Sequence, residues 1–276
     1  MSNSLIIPSC PEVLLQLDDI MKNDDPDIQV ISHLVNTDVG LYSTLLATVN
    51  SPIIGLSQTV ESVPQAITLL GQAKTFTLLR SAIMRNSLEK LGRLDRFWDS
   101  ATEVANLCSI LAAELTTINQ EKAYSIGMLH DIGIPVMMHN HASYKDFLLD
   151  VGHTSLRDLS AREMEHYKVD HFTLGYRLAK EWKLPAVVSK TILLQPLFDK
   201  AFNKSMAVHE NLLSYLAILM LAKDISSEYR YFWRLNSAEH FPEHLTPIID
   251  FLEISKHDYL DLKDKIIENI QDQEQV

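Results

Sequence analysis

Apolar residues recur at three- and four-residue spacing along nearly the whole chain, while glycine supplies only 8 of the 276 positions. That is roughly 3% against a usual ~7%, and sandwiches and barrels need glycine at their hairpin turns and bulges. The two features together predict an all-α fold, and no strand alternation competes with the helical period. The pattern is punctuated by residues suited to helix ends. Pro11 opens a stripe of Val13, Leu14 and Leu17 over 11–22, and Asp27 and Asp38 are placed to cap helices that begin just after them. The second of these stops at Asn50-Ser51-Pro52. Ser62 can cap a helix over 63–70, and Gly71 stands where a left-handed residue would end it.

Longer helices follow over about 73–90 and 95–117. The second carries a face of small residues, Ala101, Ala105 and Ala112, that would admit a neighbouring helix closely and suits a central buried position. Further helices are predicted over 120–132, 134–140, 143–150, 155–166, 170–182, 185–195, 207–224 and 247–270. The chain therefore reads as an N-terminal bundle over 10–90, a second helical unit over 93–200, and a Tyr- and Leu-rich extension over 207–276 set off by a compositional shift near 196–206.

Charge narrows the partners. With 36 acidic and 24 basic residues the net charge is −12, which opposes a phosphate-tracking surface and argues against nucleic acid as a partner. Cys10 and Cys108 form no metal-binding spacing and suit a reducing compartment. The start MSNSLIIPSC has neither a basic nor an apolar leader segment, and the longest apolar run, Leu216 to Ala222, is far shorter than a membrane span. The expectation is a cytoplasmic protein without a membrane segment.

Chemistry could reside at Gly127-Met128-Leu129-His130-Asp131-Ile132-Gly133, where adjacent ionisable residues lie inside an apolar helix between two glycines. Such a buried pair needs partners. A divalent metal is one, since imidazole nitrogen and carboxylate oxygen both ligate it; a hydrogen-bonded pair at a helix junction is the other. His139 and His141, two residues apart, point away from each other on a helix. His240 and His244 are interrupted by Pro242 and read as loop residues, and Tyr229-Arg230-Tyr231-Phe232-Trp233 reads as helix contact or, if exposed, as a partner site. No Gly-rich phosphate loop or nucleophile elbow occurs.

Asn50-Ser51-Pro52, then Ala66-Ile67 and Leu70-Gly71, then Trp98, the His130-Asp131 segment, Asp170-His171 with Leu174-Gly175, and Trp182-Lys183-Leu184-Pro185 follow one another in an order and spacing that resembles the HDOD family over about residues 10–200. The resemblance implies an HDOD-like domain over 1–206, with an HD-like unit at 93–200. It implies a signalling module related to the HD metal-dependent phosphohydrolases, with Asn50, Gly71, Gly127, Gly133, Trp182 and Pro185 as structural motif positions. The metal site of those hydrolases would take a His two residues after Trp98, where this chain has Ser100, together with His130, Asp131 and an Asp from a later helix. Binuclear relatives add a His at His171 and a His pair where this chain has Gln195-Pro196. Near the expected late Asp only Asp224 is available. The expectation is a remnant site at His130, Asp131, His171 and Ser100 with no metal or other cofactor and no catalytic residue. The module would act by binding another signalling protein or a small ligand. The alternative is a metal-dependent phosphohydrolase with an incomplete site, the one case that calls for a divalent metal.

Overall fold

The computed structural model of the protein describes residues 5–23, 26–51, 54–91, 94–151, 154–235 and 241–274; Pro52 and His240 lie outside the described residues. Every regular element among the described residues is helical, so the fold is all-α. The chain divides into two compact units, Ser9–Arg93 with Glu268–Val276, and Met1–Pro8 with Leu94–Ile267.

The smaller unit contains α1 (Glu12–Ile20), α2 (Ile28–Asn36), α3 (Val39–Val49), α4 (Val63–Leu70) and α5 (Gln72–Glu89). The expected caps form: Asp27 accepts from the Gln29 amide at 2.8 Å, Asp38 from Leu41 at 3.0 Å and Ser62 from Gln65 at 3.3 Å. Each satisfies a backbone donor that the first helical turn leaves without an internal partner. Gly71, at φ 79°, is both the end of α4 and the start of α5, so a single residue in the left-handed region turns the chain between them. Asn50 clamps the loop that follows α3, its side chain donating to the Val60 carbonyl at 2.8 Å and accepting from the Val60 amide at 2.7 Å. α5 packs against α1, α3 and α4 and buries Phe76, Leu79 and Ile83.

The larger unit is built on α6 (Asp95–Leu115), followed by α7 (Gln120–Leu129), α8 (Gly133–Asn140), α9 (Tyr144–Val151), α10 (Leu156–Tyr167), α11 (His171–Glu181) and α12 (Ala186–Leu194). A short 3₁₀ turn at Gln195–Leu197 leads to α13 (Phe198–Phe202), α14 (Glu210–Ile225), α15 (Ser227–Phe232), α16 (Thr246–Phe251) and α17 (Lys256–Glu274), which belongs to this unit up to Ile267. α7, α14 and α15 all pack on α6. The small face of α6 admits α7 as expected, since a Cβ on Gly127 would stand 2.6 Å from the Ala105 Cα. In the Trp182-Lys183-Leu184-Pro185 segment the Trp182 indole is fully buried and donates to the Pro8 carbonyl at 2.9 Å, Lys183 turns the chain at φ 54°, and Pro185 precedes α12.

α14 packs on α6, α7 and α12 within the larger unit. Its run Tyr215–Lys223 is buried on all sides, as a helix without a polar face must be. The helix expected over 247–270 is two helices, α16 and α17, separated by Glu253 at φ 56° and restarted by Ser255, whose hydroxyl accepts from the Asp258 amide at 3.1 Å. Among the described residues no helix is long and apolar enough to cross a membrane.

Candidate functional site

The site grows from two close helix approaches. α7 ends at Leu129, His130 forms its C-cap and α8 opens at Gly133, so the His130-Asp131 pair sits in a helix junction. Gly133 has no room for a side chain: a Cβ there would fall 1.7 Å from the His171 carbonyl oxygen and 2.8 Å from the Gly175 amide nitrogen. α8 and α11 therefore meet backbone to backbone, and the start of α11 sets His171 opposite Asp131. A second signal holds that start in place. Asp170 caps α11 by accepting from the Thr173 amide at 2.6 Å.

All the site's ionisable side chains are buried, with His130 at 2%, Asp131 at 3% and His171 at 1% exposure. His130 Nδ1 lies 2.6 Å from the Gly127 carbonyl, which can only accept, so this nitrogen carries a hydrogen. His130 Nε2 turns to Asp131 Oδ2 at 3.2 Å, and His171 Nε2 faces Asp131 Oδ1 at 3.7 Å. Glu163 of α10 orients His171 from behind, 2.8 Å from its Nδ1, and also accepts from the His171 amide at 2.9 Å and from the Tyr144 hydroxyl. The Trp233 indole N–H donates to Asp131 Oδ2 at 3.3 Å.

The remaining partner is a cation. Lys223 of α14 brings its ammonium to 3.9 Å from Asp131 Oδ1, and Gln195 fixes it there. Gln195 accepts from Lys223 Nζ at 2.6 Å through Oε1 and donates to the His130 carbonyl at 2.7 Å through Nε2. The ammonium also lies over the Tyr229 ring, 4.7 Å from its centroid, and that ring in turn packs on His130. Burial pushes Lys223 down to about 8, against the opposing pull of Asp131. Burial would also lower His171, but the carboxylates of Glu163 and Asp131 raise it to about 9. Burial alone would raise the Asp131 carboxyl; His130 and Lys223 outweigh it and hold the group well below its usual range. Near neutrality His171 is thus an imidazolium, and the Asp131 carboxylate faces the Lys223 ammonium.

These shifts predict a pH profile. The folded chain holds a proton on His171 up to about pH 9 that an ordinary imidazole releases at 6.5, so this stabilisation is full below 6.5 and lost as pH rises. Lys223 has the opposite sign and begins to oppose the loss only near pH 8. The unfolding free energy is expected to fall by on the order of 2 kcal/mol between pH 6.5 and 8 and to level off between 8 and 9. Urea unfolding across this range at fixed ionic strength measures it. A profile that is flat from 6.5 to 8 would show that folding adds no proton to His171.

A family model for the HDOD domain matches residues 7–196. The chain belongs to the HDOD family. An uncharacterized protein of Treponema pallidum (strain Nichols) is 26% identical over 193 residues, which is 67% of this chain but 37% of that relative, so the chain spans little more than a third of its length. Among solved structures, a provisionally assigned phosphohydrolase from Shewanella amazonensis SB2B aligns with a TM-score of 0.69 at 22% identity, covering 94% of this chain and 90% of that one. An HDOD domain protein of unknown function from Geobacter sulfurreducens aligns with a TM-score of 0.67 at 21% identity, covering 96% and 91%. A provisionally assigned signal transduction protein from Marinobacter aquaeolei VT8 gives 0.68 at 19% identity, covering 97% of this chain and 58% of that one. At these identities the likeness is one of fold.

The HDOD site can be tested for fit to a divalent metal from its own donors. His130, Asp131 and His171 do converge, but ligation needs neutral imidazole and free carboxylate oxygens. Here an ammonium lies 3.9 Å from Oδ1 of the one carboxylate that faces both imidazoles. A divalent ion ligated by Asp131 would be repelled by that ammonium. Among the described residues no group of three or more His, Cys, Asp or Glu side chains is disposed to hold a metal ion. The donors do not fit.

Ser100 is buried on α6, and none of the contacts that define the cluster involves it. Asp224 accepts from Tyr259 at 2.5 Å and from Lys263 at 2.8 Å, outside the cluster; its neighbour Lys223 is the residue that α14 sends inward. His244 packs on Phe198, with ring centroids 6.2 Å apart. The sequence marks Gln195 only as the place of a missing His, and Tyr229 and Trp233 only as helix contact or partner surface; Glu163 and Lys223 carry no site expectation. The one signal for Lys223 was a lysine at the end of the wholly apolar run from Leu216 to Ala222.

Proposed function

We propose that the chain is a non-catalytic signalling or regulatory module of the HDOD type, acting in the cytoplasm by binding another protein or a small ligand. The observation that carries this reading is the Lys223 ammonium, held by Gln195 at 2.6 Å and facing Asp131. An internal cation satisfies the carboxylate that a hydrolytic site of the HD type would turn to its metal. Hydrogen bonds and charge pairing within this buried set serve to lock the junctions of α7 with α8 and of α10 with α11. That is a positioning role, and it leaves the outer surface of the same helices for recognition.

The test is equilibrium dialysis of the full chain, purified without a metal-binding tag, against Mn²⁺, followed by metal analysis and an assay for phosphodiester and phosphomonoester hydrolysis. The expected result is no stoichiometric metal and no turnover above the buffer rate. Stoichiometric Mn²⁺ together with turnover that Asp131→Asn abolishes would overturn the reading in favour of a metal-dependent phosphohydrolase.

A further inference from the structure

In a chain with a net charge of −12, one cleft of the larger unit is lined, among the described residues, by four cations and no acid. This cleft, of about 600 Å³, lies between the first turn of α6, α9 and the segment from α15 to Leu235, and includes Arg96, Lys145, Arg230 and Arg234. Its volume is in the range of small-molecule sites. Aromatic rings share the wall with the cations. Tyr231 is 63% exposed, and Trp233 and Phe232 are half-buried beside it.

The arrangement is built. The carboxylate of Glu103 on α6 caps α15, accepting from the Glu228 amide at 2.7 Å and the Ser226 hydroxyl at 2.8 Å, which fixes the aromatic segment on the spine of the unit. Arg234, at φ 55°, ends that segment in a left-handed closure, with the Leu235 amide donating to the Arg230 carbonyl at 2.7 Å. Arg230 is tethered through the Asp224 carbonyl, and Arg96 is held by Glu228 at 3.4 Å while lying over the Tyr231 ring, 4.5 Å from its centroid. Lys145 and Arg234 enter no ion pair among the described residues. Two pre-positioned guanidinium groups, two unpaired cations and a set of accessible π faces form a receptor for a dianion attached to a flat ring.

We infer that this cleft binds a small organic phosphate monoester bearing a planar ring. The inference rests on the reading of the chain as a binding module and supplies the class of its ligand. It also gives the ligand a route to the interior, because the Trp233 ring lines the cleft while its N–H donates to Asp131 Oδ2 at 3.3 Å. A ligand that shifts this indole changes the donor set of the buried carboxylate.

Titration of the full chain with adenosine monophosphate and with phenyl phosphate, followed by calorimetry and by tryptophan fluorescence, tests it. Trp98 and Trp182 are fully buried, so a ligand-induced change in emission reports on Trp233 and is expected to vanish in Trp233→Phe while the heat of binding persists. Both probes are expected to bind at least tenfold more tightly than inorganic phosphate or adenosine, with affinity falling as salt rises. Lys145→Ala and Arg234→Ala, both at exposed positions, are expected to weaken binding about tenfold each, and Arg157→Ala, outside the cleft, to leave it unchanged. Absence of binding by both probes at millimolar concentration would overturn the inference, as would equal binding of inorganic phosphate or indifference to both cleft variants. Phosphate release is followed in the same titrations with Mn²⁺ present. Turnover would overturn the non-catalytic reading and leave the ligand class standing, whereas no binding and no turnover would overturn the ligand class alone.

Discussion

Gly133→Ala is expected to lower the unfolding free energy by about 4 kcal/mol or more, the upper end for a single substitution. The added Cβ would meet the His171 carbonyl oxygen at 1.7 Å and the Gly175 nitrogen at 2.8 Å, both of them backbone atoms. No rotamer change relieves such a contact. α11 must move away from α8, and His171 then separates from Asp131, so the packing loss and the loss of charge pairing arise together. Gly40→Ala is the comparison, because its Cβ would approach only the Asp38 and Asn86 side chains, at 3.2 Å and beyond, and alanine favours the helix by roughly 1 kcal/mol. Urea unfolding of the two variants should therefore diverge sharply. If Gly133→Ala unfolds within about 1 kcal/mol of the parent chain, the backbone approach of α8 to α11 is not what holds the site together.

Lys223→Met is the second large effect expected. Methionine keeps the length of the side chain and removes its charge, leaving Asp131 buried without its ammonium and Gln195 Oε1 without its 2.6 Å donor. Breaking a buried pair from one side costs about 3–5 kcal/mol. Asp131→Asn breaks the same pair from the other side. If the two charges satisfy each other, the double variant should cost less than the sum of the singles by about 2 kcal/mol, a coupling that a double-mutant cycle in urea reads directly. Additivity within ~0.5 kcal/mol would show that Lys223 is satisfied by Gln195 and Tyr229 alone. The pH profile gives an independent reading. Lys223 is pushed down to about 8, so in the parent chain stability should rise with pH above 9, and Lys223→Met should lose that rise.

Much of the scaffold was legible because helix ends are local. Asp27, Asp38 and Ser62 cap helices through amides two or three residues away, and Gly71 turns the chain by its own backbone angle. The small face of α6 was legible too, and Ala105 meets Gly127 there. The split of 247–270 into two helices was missed because Glu253 adopts a left-handed conformation that glutamate rarely takes. The neighbours of α14 were not legible, because a helix apolar on every face has no stripe to point at them.

The same division runs through the site. His130 and Asp131 stand out in the chain as adjacent ionisable residues inside an apolar helix, whereas His171 and Ser100 are set beside them only by the family resemblance. What completes the cluster comes from α10, from the turn after α12, and from α14 and α15. Glu163, Gln195, Lys223 and Trp233 meet His130, Asp131 or His171 only because α10, α12, α14 and α15 pack around the α7–α8 junction. Local residues dictate where each helix starts and stops, since capping and periodicity act within one or two turns. Which charge faces Asp131 is decided by packing between helices distant in sequence, where burial turns an otherwise ordinary lysine into the counterion of the site.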